Sequence, residues 1–208
     1  MIIALVGAER VGKDTFADIL VNEYGFKKHS MADPIREISK VIFPGWFNPN
    51  KDNGLEFAVD KDNLEANSGI CPREFMKWLG TDIFQIEFHK RFPSSCIPER
   101  SIWSEICANK ITGCVGEQTN WVIPDIRFKH EAYKLSQLGC YFINIIPSTE
   151  YADNGGNFLG QSPYDIPFIL QNYPNTKIIN DKSMGVEHLK RQVSEFINSI
   201  DSINGSHK

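Results

Sequence analysis

The sequence has little of what marks membrane, secreted or metal-centred proteins. No apolar run approaches 18 residues, so no membrane span is expected. The N-terminal apolar run, Met1 to Val6, is too short for a secretory signal and has no basic segment ahead of it. The five cysteines, Cys71, Cys96, Cys107, Cys114 and Cys140, are odd in number and form no C-x-x-C pair. That excludes a disulfide framework and a thiolate zinc site, and it predicts reduced thiols in a cytoplasmic protein. His29, His89, His130 and His188 are scattered without an H-E-x-x-H or H-x-x-x-H spacing and read as surface or satisfied core residues. His207 belongs to a polar tail, Asn204 to Lys208. There is no excess of basic charge: 22 Lys+Arg stand against 26 Asp+Glu, for a net charge of −4. Nucleic acid and anionic membranes are therefore poor partners for it. Internal repeats, low-complexity tracts and the N-K-x-D guanine motif are also absent.

What remains is an ordinary globular composition, 41% hydrophobic and 23% charged over 208 residues. This length predicts a single domain, residues 1–208, with room for a peripheral insertion. Residues 2–6 are an apolar run that suits a buried parallel strand, ended by Gly7. Helical spacing follows over 13–24, closed by Gly25. Residues 33–43 read as a helix with Pro34 in its first turn. Residues 44–70 carry prolines, glycines, Asn and Asp without periodicity and read as a loop or peripheral insertion. Helical spacing returns over 72–91, interrupted at Gly80-Thr81 by a join or kink, and over 100–110. Short strands are predicted at 121–123, 141–146 and 176–179, with helices at 129–138 and 186–200. Residues 150–163 are rich in Gly, Asn and Asp and read as a mobile loop. Strands alternating with helices predict a parallel sheet covered on both faces, an α/β/α sandwich. Ligands then bind at the C-terminal strand ends, in the loops after residues 6, 123 and 146.

The strongest motif is Gly7-Ala8-Glu9-Arg10-Val11-Gly12-Lys13-Asp14-Thr15. It fits G-x-x-x-x-G-K between a strand and a helix. The glycines permit backbone angles that a side chain forbids, so the loop can turn its N–H groups around a phosphate at a helix N-terminus. Lys13 can reach the β- and γ-phosphates. The hydroxyl that usually follows the lysine and ligates Mg²⁺ is replaced by Asp14; either Thr15 supplies it, or Asp14 meets the metal directly or through water. Arg10 sits where a guanidinium could stabilise transferring charge, the alternative being a solvated loop arginine. A second constellation, Trp-Val-Ile-Pro-Asp-Ile-Arg at 121–127, delivers Asp125 and Arg127 to a strand end. The carboxylate could hold Mg²⁺ through water or bond an acceptor hydroxyl, and the arginine could fork onto phosphate oxygens. A structural Asp–Arg pair is the alternative. Arg36 and Arg73 are candidate phosphate ligands or surface charges. Thr81 and Asp82 could approach a ligand, and Trp103 could stack on a base or serve the core.

These residues resemble the deoxynucleoside monophosphate kinases of large DNA phages and viruses. The resembling stretches are Gly7–Leu20, Met31–Ile38, Arg73–Ile83, Trp121–Ile145 and Ile178–Leu189, in the family's order. The series Arg73, Phe75, Leu79-Gly80-Thr81-Asp82 and the series Pro124-Asp125, Arg127, Glu131 are more specific than the phosphate loop. The resemblance implies a three-layer P-loop kinase fold. It implies transfer of the γ-phosphoryl group of ATP, with Mg²⁺, to a deoxynucleoside monophosphate. Gly7 to Thr15 would hold the ATP phosphates, with Lys13, Arg10 and Arg127 as the catalytic groups and Asp14 and Thr15 as the metal candidates. Arg36, Arg73, Gly80, Thr81, Trp103, Asp125, Arg127 and Glu131 would line the acceptor site. The expected partners are small-molecule nucleotides, with a homodimer left open, in the cytoplasm of a host if the origin is viral.

Three departures stand out. The family's lid motif, D-x-H-x-[ST]-E, is missing from 150–163, so a lid over about 148–165 is present by position only. Gln85 stands where many relatives have arginine, and Glu9 replaces a common lysine and weakens the loop's positive field. A phosphomevalonate-type kinase, a more distant dephospho-coenzyme A kinase, a nucleotide-binding switch and an inactive relative are the competing readings.

Overall fold

The computed structural model describes residues 1–51, 54–113, 119–148 and 164–205, with side chains up to residue 200. Along the chain run β1 (Ile2–Val6), α1 (Lys13–Tyr24), β2 (Lys27–Lys28), α2 (Asp33–Ile42), β3 (Phe47–Asn48), β4 (Glu56–Phe57) and α3 (Pro72–Lys77). A wider helical segment, Trp78–Glu87, leads to α4 (Phe88–Arg91), α5 (Ile102–Gly113), β5 (Trp121–Ile123) and α6 (Lys129–Ser136). Last come β6 (Tyr141–Pro147), α7 (Ile166–Asn172), β7 (Asn175–Asn180) and α8 (Gly185–Gly205). The chain divides into two compact units, Met1–Ser30 with Ile111–Lys208, and Met31–Lys110.

The first unit is built on a five-stranded sheet of order β2-β5-β1-β6-β7, parallel throughout. Ile3, Ala4, Leu5 and Val6 of β1 are all completely buried. A central parallel strand is covered on both faces, which is why it reads as a continuous apolar run. The connection through α1 leads from β1 outward to β2, whereas those through α6 and α7 lead the other way, from β5 to β6 and from β6 to β7. Right-handed crossovers running in opposite directions put their helices on opposite faces of the sheet. The α/β/α layering follows, with α8 packed beside α1 and α7 beside α6. One core joins Ile3 and Leu5 to Phe16 and Leu20 of α1 and to Leu189, Val193 and Phe196 of α8.

Residues 31–110 form the second unit around aromatic contacts. Phe43 stacks on Trp46 at 4.1 Å, and Phe75 meets both rings edge-on at 5.2 and 5.7 Å. The 44–70 segment is therefore more than a loop. It contains a 3₁₀ turn, Pro44–Trp46, and an antiparallel hairpin in which Phe47 faces Phe57, and it buries Trp46 and Phe47. Gly80-Thr81 does not break the helix predicted for 72–91. The chain winds on without a join, as ten residues of π-helix over Trp78–Glu87.

Besides the β3–β4 hairpin, β2 and α7 carry no signal that the sequence analysis picks up. β2 is a two-residue edge strand made of Lys27 and Lys28, and lysines on an edge strand carry no apolar signal. α7 opens with Ile166-Pro167 directly behind the Gly- and Asn-rich stretch.

Candidate functional site: a phosphate loop flanked by an Asp–Arg pair

The loop between β1 and α1 is forced by its glycines. Gly7 has φ +148°, and a Cβ there would lie 2.4 Å from the backbone oxygen of Ile145. Gly12 has φ +100°, and its Cβ would lie 2.3 Å from Nδ2 of Asn180. Neither position tolerates a side chain. Between them Arg10 also takes a left-handed conformation, φ +62°, with its side chain exposed. Lys13 is buried, and its ammonium crosses the loop to donate to the carbonyls of Gly7 at 2.9 Å and Ala8 at 2.6 Å. Burial pulls this lysine below its ordinary pKa, and Asp125, 3.9 Å away, works against that pull.

Asp125 and Arg127 emerge from the end of β5, beside β1. Arg127 donates through Nε at 2.8 Å to Oδ2 of Asp125, which also lies 2.6 Å from its NH2 nitrogen. Burial works against the guanidinium's charge, but the Asp125 carboxylate, Tyr164 and Glu9 outweigh it and raise the pKa. The Tyr164 hydroxyl accepts from Arg127 at 2.5 Å, and the guanidinium carbon lies 4.6 Å from that ring's centre. Glu9 stands 3.7 Å from Arg127, so the departure noted in the loop is matched by a partner. The second Asp125 oxygen, Oδ1, is buried beside Lys13 and accepts no hydrogen bond among the described residues.

Glu131 stands one helical turn beyond Arg127. Its Oε2 accepts from the backbone N–H of Arg127 at 2.9 Å and of Phe128 at 3.0 Å, capping α6. Burial raises its pKa to about 7, and the two N–H groups only partly resist the shift. Its carboxylate thus holds the backbone of the Asp–Arg turn.

A cavity of about 350 Å³ opens in front of the loop. Arg10, Gly12, Lys13, Asp14 and Thr15 line one side, and Asn180, Lys182 and Val186 the other. Buried Asn180 donates to the carbonyl of Val11 at 2.9 Å and so braces the loop from the end of β7. The sequence analysis points to the strand ends of β1, β5 and β6 and not to that of β7. The rule about C-terminal strand ends would have found Asn180 as well. Tyr164 carried no signal, because it lies at the edge of a Gly/Asn-rich stretch. Residues 149–163, which hold most of the expected lid, lie outside the described residues.

The remaining candidates belong to the second unit. Trp103 is buried, donates from Nε1 to the Gly80 carbonyl at 2.9 Å and packs on Phe84 at 5.0 Å. Of its two readings, base platform or core, the structure has the core one. Gly80 is buried against Ile35, and Thr81 is exposed. Arg36 pairs with Asp33 at 3.3 Å, while its Nε is buried without an acceptor among the described residues. Arg73 is tied to Asp62 and donates its backbone N–H to the carbonyl of Lys61. A second cavity, of about 410 Å³, lies between Arg36 and residues 55–62.

No group of three or more His, Cys, Asp or Glu side chains able to hold an ion occurs among the described residues. Mg²⁺ bound with a nucleotide needs only one or two protein oxygens. Oδ1 of Asp125, which pairs with Lys13 and accepts no hydrogen bond among the described residues, and the Asp14 and Thr15 side chains at the cavity wall would meet that need.

Residues 1–63 match the family model described as deoxynucleotide monophosphate kinase. A protein of Acanthamoeba polyphaga mimivirus named "Putative deoxynucleotide monophosphate kinase" is 26% identical over 150 residues, 70% of this chain and 73% of its own. Among solved structures, a dephospho-CoA kinase from Campylobacter jejuni is similar over 98% of both chains, at 17% identity and a TM-score of 0.49. The resemblance to deoxynucleotide monophosphate kinases is thus met by a family match at the N-terminus and by a viral relative across most of the chain.

Proposed function

We propose that this protein transfers the γ-phosphoryl group of Mg·ATP to a deoxynucleoside monophosphate, giving the diphosphate and ADP. The observation that carries this reading is a glycine-forced loop with Lys13 folded across it and the Asp125–Arg127 pair at the neighbouring strand end. In this reading the phosphate chain of ATP takes the place of the Gly7 and Ala8 carbonyls as the partner of Lys13. Thr15, Asp14 and Asp125 would hold Mg²⁺, which spreads the charge developing on the phosphate oxygens. Catalysis then rests on positioning and on cations at the transferring group, supplied by Lys13, Arg10 and Arg127. No general base is required, since the attacking phosphate oxygen of the acceptor is already ionised. Arg36 and Arg73 are assigned to the acceptor. The cavity continues from the loop towards Asn180, Lys182 and Val186, a polar and apolar wall suited to the nucleoside end of the donor.

A coupled ADP-release assay with Mg·ATP and a panel of acceptors tests this. The panel contains dTMP, dGMP, dCMP and dAMP, their ribonucleotide counterparts and phosphomevalonate. Turnover on at least one deoxynucleotide is expected. Turnover on phosphomevalonate alone would overturn the acceptor assignment, and ATP binding without any acceptor would favour a switch.

A further inference from the structure

Arg127 has three side-chain partners among the described residues, and they are not equivalent. Asp125 grips the guanidinium through one oxygen, Oδ2, 2.8 Å from Nε and 2.6 Å from the NH2 nitrogen. The Tyr164 hydroxyl accepts from the NH1 nitrogen at 2.5 Å. Three of the five N–H donors of the guanidinium are thus engaged, and each terminal nitrogen keeps one that no described residue takes at hydrogen-bond distance. The third partner, Glu9, comes only to 3.7 Å from NH1.

Glu9 also differs in where it stands. It belongs to the phosphate loop, between Gly7 and Gly12, and its side chain is 66% exposed, against 31% for Asp125. An ion pair this long and this open contributes little and breaks easily, whereas the short Asp125 pair holds. The Glu9 charge nevertheless reaches both cations beside the loop. Burial is the largest influence on the pKa of Lys13 and of Arg127 and disfavours both charges, while Asp125 and Glu9 favour them. A phosphoryl group entering the loop would act in the same sense, with more charge and more acceptor oxygens.

We infer that Glu9 is an exchangeable counter-ion of Arg127, and that an incoming phosphoryl group displaces it and takes over the flank of the guanidinium that the carboxylate holds. The inference rests on reading the loop as a phosphate site, and it gives the acidic residue of the loop a role. Asp125 and Tyr164 keep Arg127 aimed throughout. The Glu9 carboxylate turns out into solvent as phosphoryl oxygens replace it. Each binding event therefore breaks one carboxylate–guanidinium pair, so Glu9 lowers affinity and sets the least charge that a ligand must bring.

Titration calorimetry of the full-length protein with pyrophosphate tests this, at low ionic strength so that an exposed pair is not screened. Pyrophosphate carries phosphoryl groups and no base. Glu9→Gln is expected to bind it roughly three- to fivefold more tightly than the wild type, the scale of one exposed ion pair. In an Arg127→Gln background the same substitution should gain less than about twofold, because the pair it relieves is already gone. Glu23→Gln removes the same charge at the far end of α1, where Glu23 pairs with Lys190, and as the control should change nothing. Equal affinity in Glu9→Gln and the wild type, the same gain in both backgrounds, or an equal gain in Glu23→Gln would overturn the inference. So would a wild-type protein that binds no pyrophosphate. The expected pattern without turnover on any acceptor would keep the exchange and remove the kinase reading, and turnover with equal affinities would do the reverse.

Discussion

The two units achieve order by different means. In the first, the backbone does the work: four apolar residues of β1 vanish into a parallel sheet, and two glycines sit where a Cβ would collide with backbone or with Asn180. In the second, side chains do it: stacked aromatic rings, a tryptophan bonded to a glycine carbonyl, and arginines paired with carboxylates. In the proposed function the backbone-built loop, which has few ways to vary, takes the phosphates common to every nucleotide. In the same proposal the side-chain-built unit, which can change one residue at a time, supplies Arg36 and Arg73 for the acceptor.

Removing the cation of the loop should have the largest effect. Lys13→Ala is expected to lower turnover by about a thousandfold or more, the scale of losing a group aimed at developing phosphate charge. Far-UV circular dichroism should show the fold retained. Turnover near the wild-type rate in that variant would sink the assignment of the loop.

Matched glycine substitutions set the two units against each other. Gly12→Ala forces a side chain to φ +100° and into Asn180, and should cost about 1–3 kcal/mol of stability together with nucleotide affinity. Gly80→Ala meets only the tip of Ile35, at 2.7 Å, and gains roughly 1 kcal/mol of helix propensity, so its net change should be small. Denaturant melts of both variants decide the matter; equal losses would erase the distinction.

Glu131 gives the comparison a pH dependence. Its pKa is about 7 in the fold, above the ordinary 4.5. Between these values the unfolded chain has released the proton and the folded chain has kept it. The unfolded state therefore binds fewer protons, and stability falls as pH rises from about 4.5 to about 7. Glu65, held down to about 2 by the N–H groups of Asn67 and Ser68, acts in the opposite sense and below that window. Melting temperatures measured across the window should decline less in Glu131→Gln than in the wild type. Parallel curves would show that the buried carboxylate is not the source.

The smallest expected effect is that of Tyr164→Phe. It removes the hydroxyl under Arg127 while keeping the ring, and should cost about 1 kcal/mol of transition-state stabilisation, a several-fold drop in kcat/KM. An unchanged value would mean that Asp125 alone orients the guanidinium.

How much could be read from the sequence also divides along this line. β1, α1 and β5 stand at the residues their apolar pattern predicts, because parallel strands and amphipathic helices write their burial into periodicity. The backbone of the loop after β1 was legible because Gly7 and Gly12 take angles that a side chain resists. In the second unit the pattern fades. A π-helical stretch follows neither period, and two-residue strands are too short to show one. The contacts of Trp46, Phe57 and Trp103 join positions far apart in sequence. Glu131 as the cap of the Asp–Arg turn could not be foreseen, since it depends on where backbone N–H groups point, and Asn180 as the brace of the loop was open only to the rule about strand ends.

The central claim is transfer rather than hydrolysis. Incubating the protein with Mg·ATP and each deoxynucleoside monophosphate, then resolving the products by anion-exchange chromatography, tests it most directly. The account predicts a deoxynucleoside diphosphate formed in equal amount with ADP for at least one acceptor. ADP with inorganic phosphate and no diphosphate, or no product from any acceptor, would contradict it.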